Sequence, residues 1–284
     1  RLGKLAKYRL ILTGTPVTQS PLDFFSQYKF LEPSIFGDSY FAFKARYAVE
    51  QPIGNSGGKR VVGYKNMAEL VQKAHSVAVR VTKAEALDLP EQVDQVLYTT
   101  LEPEAQRLYN QMARESVAEL SQERVITAAN VLARLLRLSQ ITGGFVGESG
   151  EVQQVSKAKM SLLEEVLDDL LTAGKKVVIF ARFLPEIRAI LADLERRPID
   201  YAWITGEVSQ SERGQAVERF QTDDNCRVFV AQLQTAGLGI TLTAADTAIF
   251  YSLDYSYANY EQCRARIHRI GQRNTCTYIH LVAR

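Results

Sequence analysis

The chain has 284 residues, 46% of them hydrophobic and 23% charged, and its 34 basic and 32 acidic side chains leave a net charge of +2. That balance supports a globular core in one large domain or two modest ones. It excludes a disordered tail, a collagen-like repeat and a disulfide scaffold. The longest apolar runs, such as Val177-Val178-Ile179-Phe180-Ala181, fall far short of the ~18 residues that would span a bilayer. The sequence opens Arg1-Leu2-Gly3-Lys4, with neither an apolar leader nor an initiating methionine, which reads as a piece of a longer chain. Cys226, Cys263 and Cys276 form no C-x-x-C pair, and this usage points to a reducing, intracellular setting. Charge is uneven along the chain. From Gln262 to Arg284 there are five arginines and no carboxylate, the local basic patch expected of a working site.

In chain order, Tyr8-Arg9-Leu10-Ile11-Leu12-Thr13 predicts a buried strand, followed by a turn at Gly14-Thr15-Pro16 and an apolar helix over about 21–31. The glycine-rich Gly54-Asn55-Ser56-Gly57-Gly58 lies between Val49 and Val61-Val62 and reads as a loop or hairpin end. A helix near 66–75, an extended run at 77–81 and two longer helices over about 102–120 and 127–141 follow, the last stopped by Gly143-Gly144. From about Lys157 the pattern changes. Leu162, Leu163, Val166, Leu167, Leu170 and Leu171 make a helical stripe. A fully apolar strand at 177–181 precedes a helix with Pro185 in its first turn. Next come a strand at 201–204 and a helix opened by the Ser209/Glu212 capping box. Strands at 228–231, 248–251 and 277–282, with a helix at about 256–270, complete the chain. This alternation predicts a parallel sheet covered by helices on both faces.

On a helix over 256–270, steps of four and three place Gln262, Arg266, Arg269 and Arg273 on one face, beside an apolar stripe of Cys263, Ile267 and Ile270. Arg264 falls off that face. Two guanidinium forks projecting together suit an anion with spread charge, such as a phosphoryl group in transfer.

Six segments in one order carry a resemblance. They are Leu12-Thr13-Gly14-Thr15-Pro16 with Phe30-Leu31-Glu32-Pro33, Arg80-Val81-Thr82-Lys83 with Leu89-Pro90, Lys176 to Phe183, Gly206 to Arg213, Gln234 to Leu242, and Gln262 to Gln272, which reads Q-C-R-A-R-I-H-R-I-G-Q. The chain resembles the Swi/Snf-related helicase-like ATPases of superfamily two over nearly its whole length. Leu135 to Phe145 resembles phage and bacterial members most. The resemblance implies an α/β fold: a complete second RecA-like lobe at 156–284, preceded by the rear of a first lobe with a helical insertion at 1–95 and a helical linker at 96–155. It implies ATP and Mg2+ as cofactors, double-stranded DNA as partner, and a DNA-associated, cytoplasmic location in a bacterial or phage-infected cell. Arg266 and Arg269 are then arginine fingers. Thr13, Gly14, Thr15, Gly237, Gly239, Gln262 and Gln272 couple nucleotide state to lobe closure. Arg182, Arg213, Gln234 and Thr235 are candidate contacts to the DNA backbone, which a translocase grips without regard to sequence.

No segment matches G-x-x-x-x-G-K-[ST], whose amides and lysine cradle phosphates, and the family's acidic magnesium box is also missing. The chain alone is therefore not expected to hydrolyse ATP well. A DEAD-box-like RNA helicase would end its motif H-R-x-G-R, where this chain has His268-Arg269-Ile270-Gly271-Gln272. A non-catalytic nucleic-acid-binding or scaffolding fragment is the other alternative. Two further patterns carry little weight. Gly54 to Gly58 fits G-x-S-x-G without the strand and helix that a nucleophile elbow needs. Cys263, His268, Cys276 and His280 superficially resemble a zinc set, yet Cys263 and His268 would diverge by about 140° on a helix.

Overall fold

The computed structural model describes residues 3, 5–53, 58–121, 128–147, 152–236 and 239–284. The chain divides into two compact units, Arg1–Ala86 and Leu87–Arg284.

In the first unit, Pro21–Asp23 form a single 3-10 turn capped by Ser20, which leads into α1 (Phe24–Leu31). Helix α2 (Tyr40–Tyr47), the antiparallel hairpin β1 (Ala48–Ile53) and β2 (Gly58–Tyr64), α3 (Met67–His75) and the short α4 (Lys83–Ala86) follow. Its core is aromatic: Phe25, Phe43, Tyr47 and Leu70 are buried, and Phe36 meets Tyr28, Phe43 and Tyr47 edge to face. The glycine-rich stretch does join two paired strands, although residues 54–57 lie outside the described residues.

One expected strand, at 8–13, is not formed, and the extended run expected at 77–81 joins no sheet. Leu12 and Val79 are 86% and 93% exposed. An apolar run becomes a strand only when its N–H and C=O groups find a ladder. Among the described residues of this unit the only ladder is the β1–β2 hairpin.

The second unit is built on a six-stranded parallel sheet. Its elements are β3 (Gln92–Thr99), α5 (Pro103–Ser121), α6 (Ala128–Thr142), the small hairpin β4 (Phe145–Val146) and β5 (Gln153–Gln154), α7 (Ala158–Thr172), β6 (Val177–Ala181), α8 (Leu184–Leu194), β7 (Asp200–Ile204), α9 (Gln210–Thr222), β8 (Cys226–Gln232), α10 (Leu233–Ala236), β9 (Thr247–Phe250), α11 (Tyr257–Ile267) and β10 (Cys276–Ala283). The strand order is β3-β10-β9-β6-β8-β7. Because side chains alternate along a strand, each central strand feeds two cores. Val178, Phe180, Phe229, Ala231, Ala248 and Phe250 pack under α9 and α11 with Phe220, Cys263 and Ile267. Val177, Ile179, Ala181, Val228, Val230 and Ile249 pack under α7 and α8 with Leu163, Leu167, Ile187 and Ile190. The result is three layers, helix on sheet on helix.

Two boundaries differ from the expected ones. Strand β3 pairs with β10 in register from Cys276↔Gln92 to Ala283↔Thr99, so a division between residues 95 and 96 falls inside a strand of the second unit. Helix α11 ends at Ile267 rather than near 270. His268 leaves the helical region at φ −90°, ψ 80°, and Gly271 takes φ +101°.

Candidate functional site

The early end of α11 changes how its arginines are arranged. Arg266 lies in the last turn and is 8% exposed, while Arg269 lies beyond the helix and is exposed. The shared helical face expected for Arg266, Arg269 and Arg273 is therefore not what joins them. Instead both guanidinium groups turn to one loop: Arg266 Nη1 donates to the Ile240 carbonyl at 3.3 Å, and Arg269 Nη1 donates to the same oxygen at 3.4 Å and to Thr241 Oγ1 at 3.2 Å. Burial, with the nearby positive charge of Arg269, lowers the Arg266 guanidinium from its ordinary value. Two like charges held on one neutral oxygen make a site in which an anion would relieve repulsion. Gly239 supports this loop at φ +77°, a left-handed conformation that glycine adopts at no steric cost. Gly237 lies outside the described residues. Gln262 sits one turn before Arg266 and is half-buried.

Gln272 is 7% exposed, and its side-chain amide is taken up by main chain. Nε2 donates to Ala245 O at 2.8 Å and to Ile267 O at 3.2 Å, and Oε1 accepts the Arg273 and Asn274 amides at 3.0 and 3.1 Å. It clasps the end of α11 to the strand that follows the glycine loop. Gln272→Ala is expected to destabilise the second unit by about 1–3 kcal/mol, since buried polar partners are left unmet; urea unfolding would measure it.

Arg264 has a structural task that the sequence did not disclose. Its Nη1 and Nη2 donate to the Asp94 carboxylate at 2.5 and 3.1 Å, and its guanidinium lies 4.0 Å from the Tyr278 ring centre and 5.3 Å from that of Tyr260. Burial alone would lower its pKa, but the hydrogen bonds to Asp94 and Tyr260 outweigh this and raise it. His268 Nε2 meets Pro90 O at 2.9 Å, so the segment that leads into β3 is held twice from α11. The zinc-like set is dispersed: Cys263 faces Leu233 O, His268 faces Pro90 O, and His280 meets Asp94 and Tyr260.

The candidate backbone contacts gather at the carboxyl end of the parallel strands, where open α/β sheets take their ligands. Arg182 follows β6, and Gln234 and Thr235 follow β8, Gln234 exposed and Thr235 buried. The Arg182 guanidinium lies against the rings of Phe183 at 4.9 Å and Tyr255 at 5.6 Å. Its Nη1 is buried without a hydrogen-bond partner among the described residues. Arg213 is differently engaged. Its Nη2 donates to Thr205 O and Gly206 O, both at 3.1 Å, and braces the turn after β7. In the first unit, Thr13 Oγ1 accepts the Thr15 amide at 3.1 Å around an exposed Gly14, a local turn.

Comparison with known proteins gives this geometry a setting. Residues 4–143 match the SNF2-related domain, and residues 158–271 match the helicase conserved C-terminal domain. The chain is a Snf2-like member of helicase superfamily two. A Mycoplasma pneumoniae protein named as an uncharacterized ATP-dependent helicase is 26% identical over 97% of this chain and 25% of its own length. The chromodomain-helicase-DNA-binding protein 1-like of Danio rerio is 29% identical over 98% of this chain and 27% of its own length. The Sulfolobus solfataricus SWI2/SNF2 ATPase core, solved in complex with dsDNA, superposes with a TM-score of 0.56 at 28% identity, covering 98% of this chain and 58% of that one. The Snf2-like chain thus spans about a quarter of the length of the curated relatives it matches. Its parallel sheet is the RecA-like lobe of that family. Relatives that range from a Mycoplasma to a fish extend the likeness beyond the phage and bacterial members expected from Leu135 to Phe145. Among the described residues, no helix is long and apolar enough to cross a membrane.

Proposed function

We propose that this chain supplies the second lobe of an ATP-driven translocase on double-stranded DNA, with Arg266 and Arg269 as arginine fingers and Arg182 as a backbone contact. The observation that carries the reading is the convergence of Arg266 and Arg269 on the Ile240 carbonyl beside the glycine loop. Charge developing on a transferred phosphoryl group would draw both guanidinium groups from their neutral acceptors in this loop. Helix α11 carries the chain from the end of β9 back toward the start of β10, and Arg182 follows β6. Gln272, where a DEAD-box motif has arginine, closes on main chain, and this favours the Snf2 reading over the RNA-helicase one.

ATP is the substrate of this scheme, and Mg2+ would shield its phosphates. Among the described residues no group of three or more histidine, cysteine or carboxylate side chains could hold an ion, and no step is assigned to it.

A backbone contact predicts a particular salt dependence. If ~4 phosphates are engaged, log affinity should fall against log salt with a slope of about −3.6, a roughly 100-fold loss between 50 and 200 mM. Different duplex sequences should give the same curve. Arg182→Ala should make the slope shallower by about 0.9. Fluorescence anisotropy with two unrelated duplexes tests this; a sharp preference for one sequence would overturn the translocase reading.

A further inference from the structure

The turn that presents Arg182 is held by a carboxylate that is itself removed from water. Glu186, in the first turn of α8, is 1% exposed. Its Oε2 accepts the Phe183 amide at 3.1 Å and also the Ser252 hydroxyl, whose oxygen accepts the Arg182 amide at 2.8 Å. Ser252 follows β9 and Arg182 follows β6. These neighbouring strands flank the point where the order β3-β10-β9-β6-β8-β7 changes direction, since the chain leaves β6 toward β7 on one side and later returns to β9 on the other. Glu186 and Ser252 therefore tie two strand ends together at the topological switch point, directly beneath Arg182.

The support extends further. Lys159 on α7 is 6% exposed and donates from Nζ to the Tyr251 carbonyl at 2.9 Å, one residue before Ser252. Tyr251 Oη donates to Gly143 O at 3.1 Å at the end of α6. A Cβ on Gly143 would overlap Glu186 Oε1, so the glycine there makes room for the carboxylate. Burial pushes the Glu186 carboxyl up to about 7, against the opposing effects of the Ser252 hydrogen bond and the Lys159 charge. Burial likewise lowers Lys159, with the Glu186 charge acting the other way. An apolar side chain would fill this site without the desolvation cost of a buried carboxylate. What the carboxylate provides in exchange is one acceptor for the Phe183 amide after β6 and the Ser252 hydroxyl after β9.

We infer that Glu186 and Ser252 are positioning residues for Arg182: they fix the main chain of the 182–183 turn so that the guanidinium, flanked by the Phe183 and Tyr255 rings, is presented to a phosphate oxygen. The inference rests on the reading of Arg182 as a DNA-backbone contact. Pre-ordering the turn lowers the entropy lost when the phosphate is bound. Tyr255 Oη is within 3.2 Å of Ser139 Oγ on α6, so the ring on the far side of Arg182 is also anchored.

The test uses this chain, a short duplex and four variants: Arg182→Ala, Ser252→Ala, the double variant, and Glu186→Gln. Glu186→Ala is avoided because it would open a cavity. Affinity is measured by anisotropy, and exchange of the Arg182 and Phe183 amides by NMR. Arg182→Ala is expected to weaken binding about tenfold, the value of one charge-assisted hydrogen bond. Ser252→Ala should weaken it about threefold, with faster exchange at both amides, and should add no further loss in the Arg182→Ala background. Glu186→Gln keeps an acceptor oxygen but loses its charge, and should weaken binding by less than Ser252→Ala does; a loss greater than that of Ser252→Ala would overturn the inference. Additive losses in the double variant, or unaltered exchange in Ser252→Ala, would overturn the inference while leaving Arg182 as a contact. Unchanged affinity in Arg182→Ala would overturn the backbone-contact reading, and the inference with it.

Discussion

Arg266→Ala and Arg269→Ala, made singly in the full-length protein, are each expected to lower ATP turnover by ~10³ to 10⁵, roughly 4–7 kcal/mol of transition-state stabilisation. Both side chains already point into one loop, held on the Ile240 carbonyl at 3.3 and 3.4 Å. That contact fixes their direction toward the loop. The loss should fall on kcat more than on KM, since charge matched to the transition state is what is removed. Duplex binding should survive, because both variants leave the Arg182 contact intact. Steady-state kinetics beside a DNA-binding titration separate the two. Near-normal turnover in both variants would remove the arginine-finger assignment.

Arg264→Ala is the second large effect, and it concerns stability rather than chemistry. From helical spacing alone, Arg264 sits about 160° from Arg266 and would be a silent neighbour. The structure gives it a charged hydrogen bond to Asp94 at 2.5 Å, a stack on Tyr278 at 4.0 Å and a hydrogen bond to Tyr260 at 2.7 Å, with 13% of its side chain exposed. Removing it should cost about 2–4 kcal/mol, from lost packing, lost cation–π contact and a carboxylate left without its main partner. Asp94 is half-exposed, and burial and hydrogen bonding act on it in opposite senses. Burial would raise its pKa, while Arg264 and His280 hold it below the ordinary carboxylate range. Thermal unfolding of Arg264→Ala and of Arg264→Lys measures the cost. Lysine keeps the charge but loses the planar fork and the stack, so it should recover only part of the stability. Full stability in Arg264→Ala would show that β3 needs no clamp from α11.

Much of the second unit was legible in the sequence because its signals are local. Val177–Ala181 is apolar at every position, and only a strand buried on both faces needs that. Ser209 and Glu212 form the capping box their spacing predicts. The density of arginines over Gln262 to Gln272 was visible in the sequence, whereas the pairing of Arg264 with Asp94 was not. Tertiary structure decided the rest. Tyr8–Thr13 has the composition of a strand, but composition supplies no ladder partner, and the segment is exposed. β3 carries Gln92, Asp94 and Gln95 and has no clear alternation. It is a strand because β10 offers it an edge, a partner some 184 residues away in the register Cys276↔Gln92. Arg264 and Asp94 are 170 residues apart, Glu186 and Ser252 are 66 apart, and Gln272 reaches back to Ala245. Periodicity records how a residue relates to its own element. Which charge neutralises which, and which carboxylate holds which turn, is settled only when the sheet assembles and distant segments exclude water from the space between them.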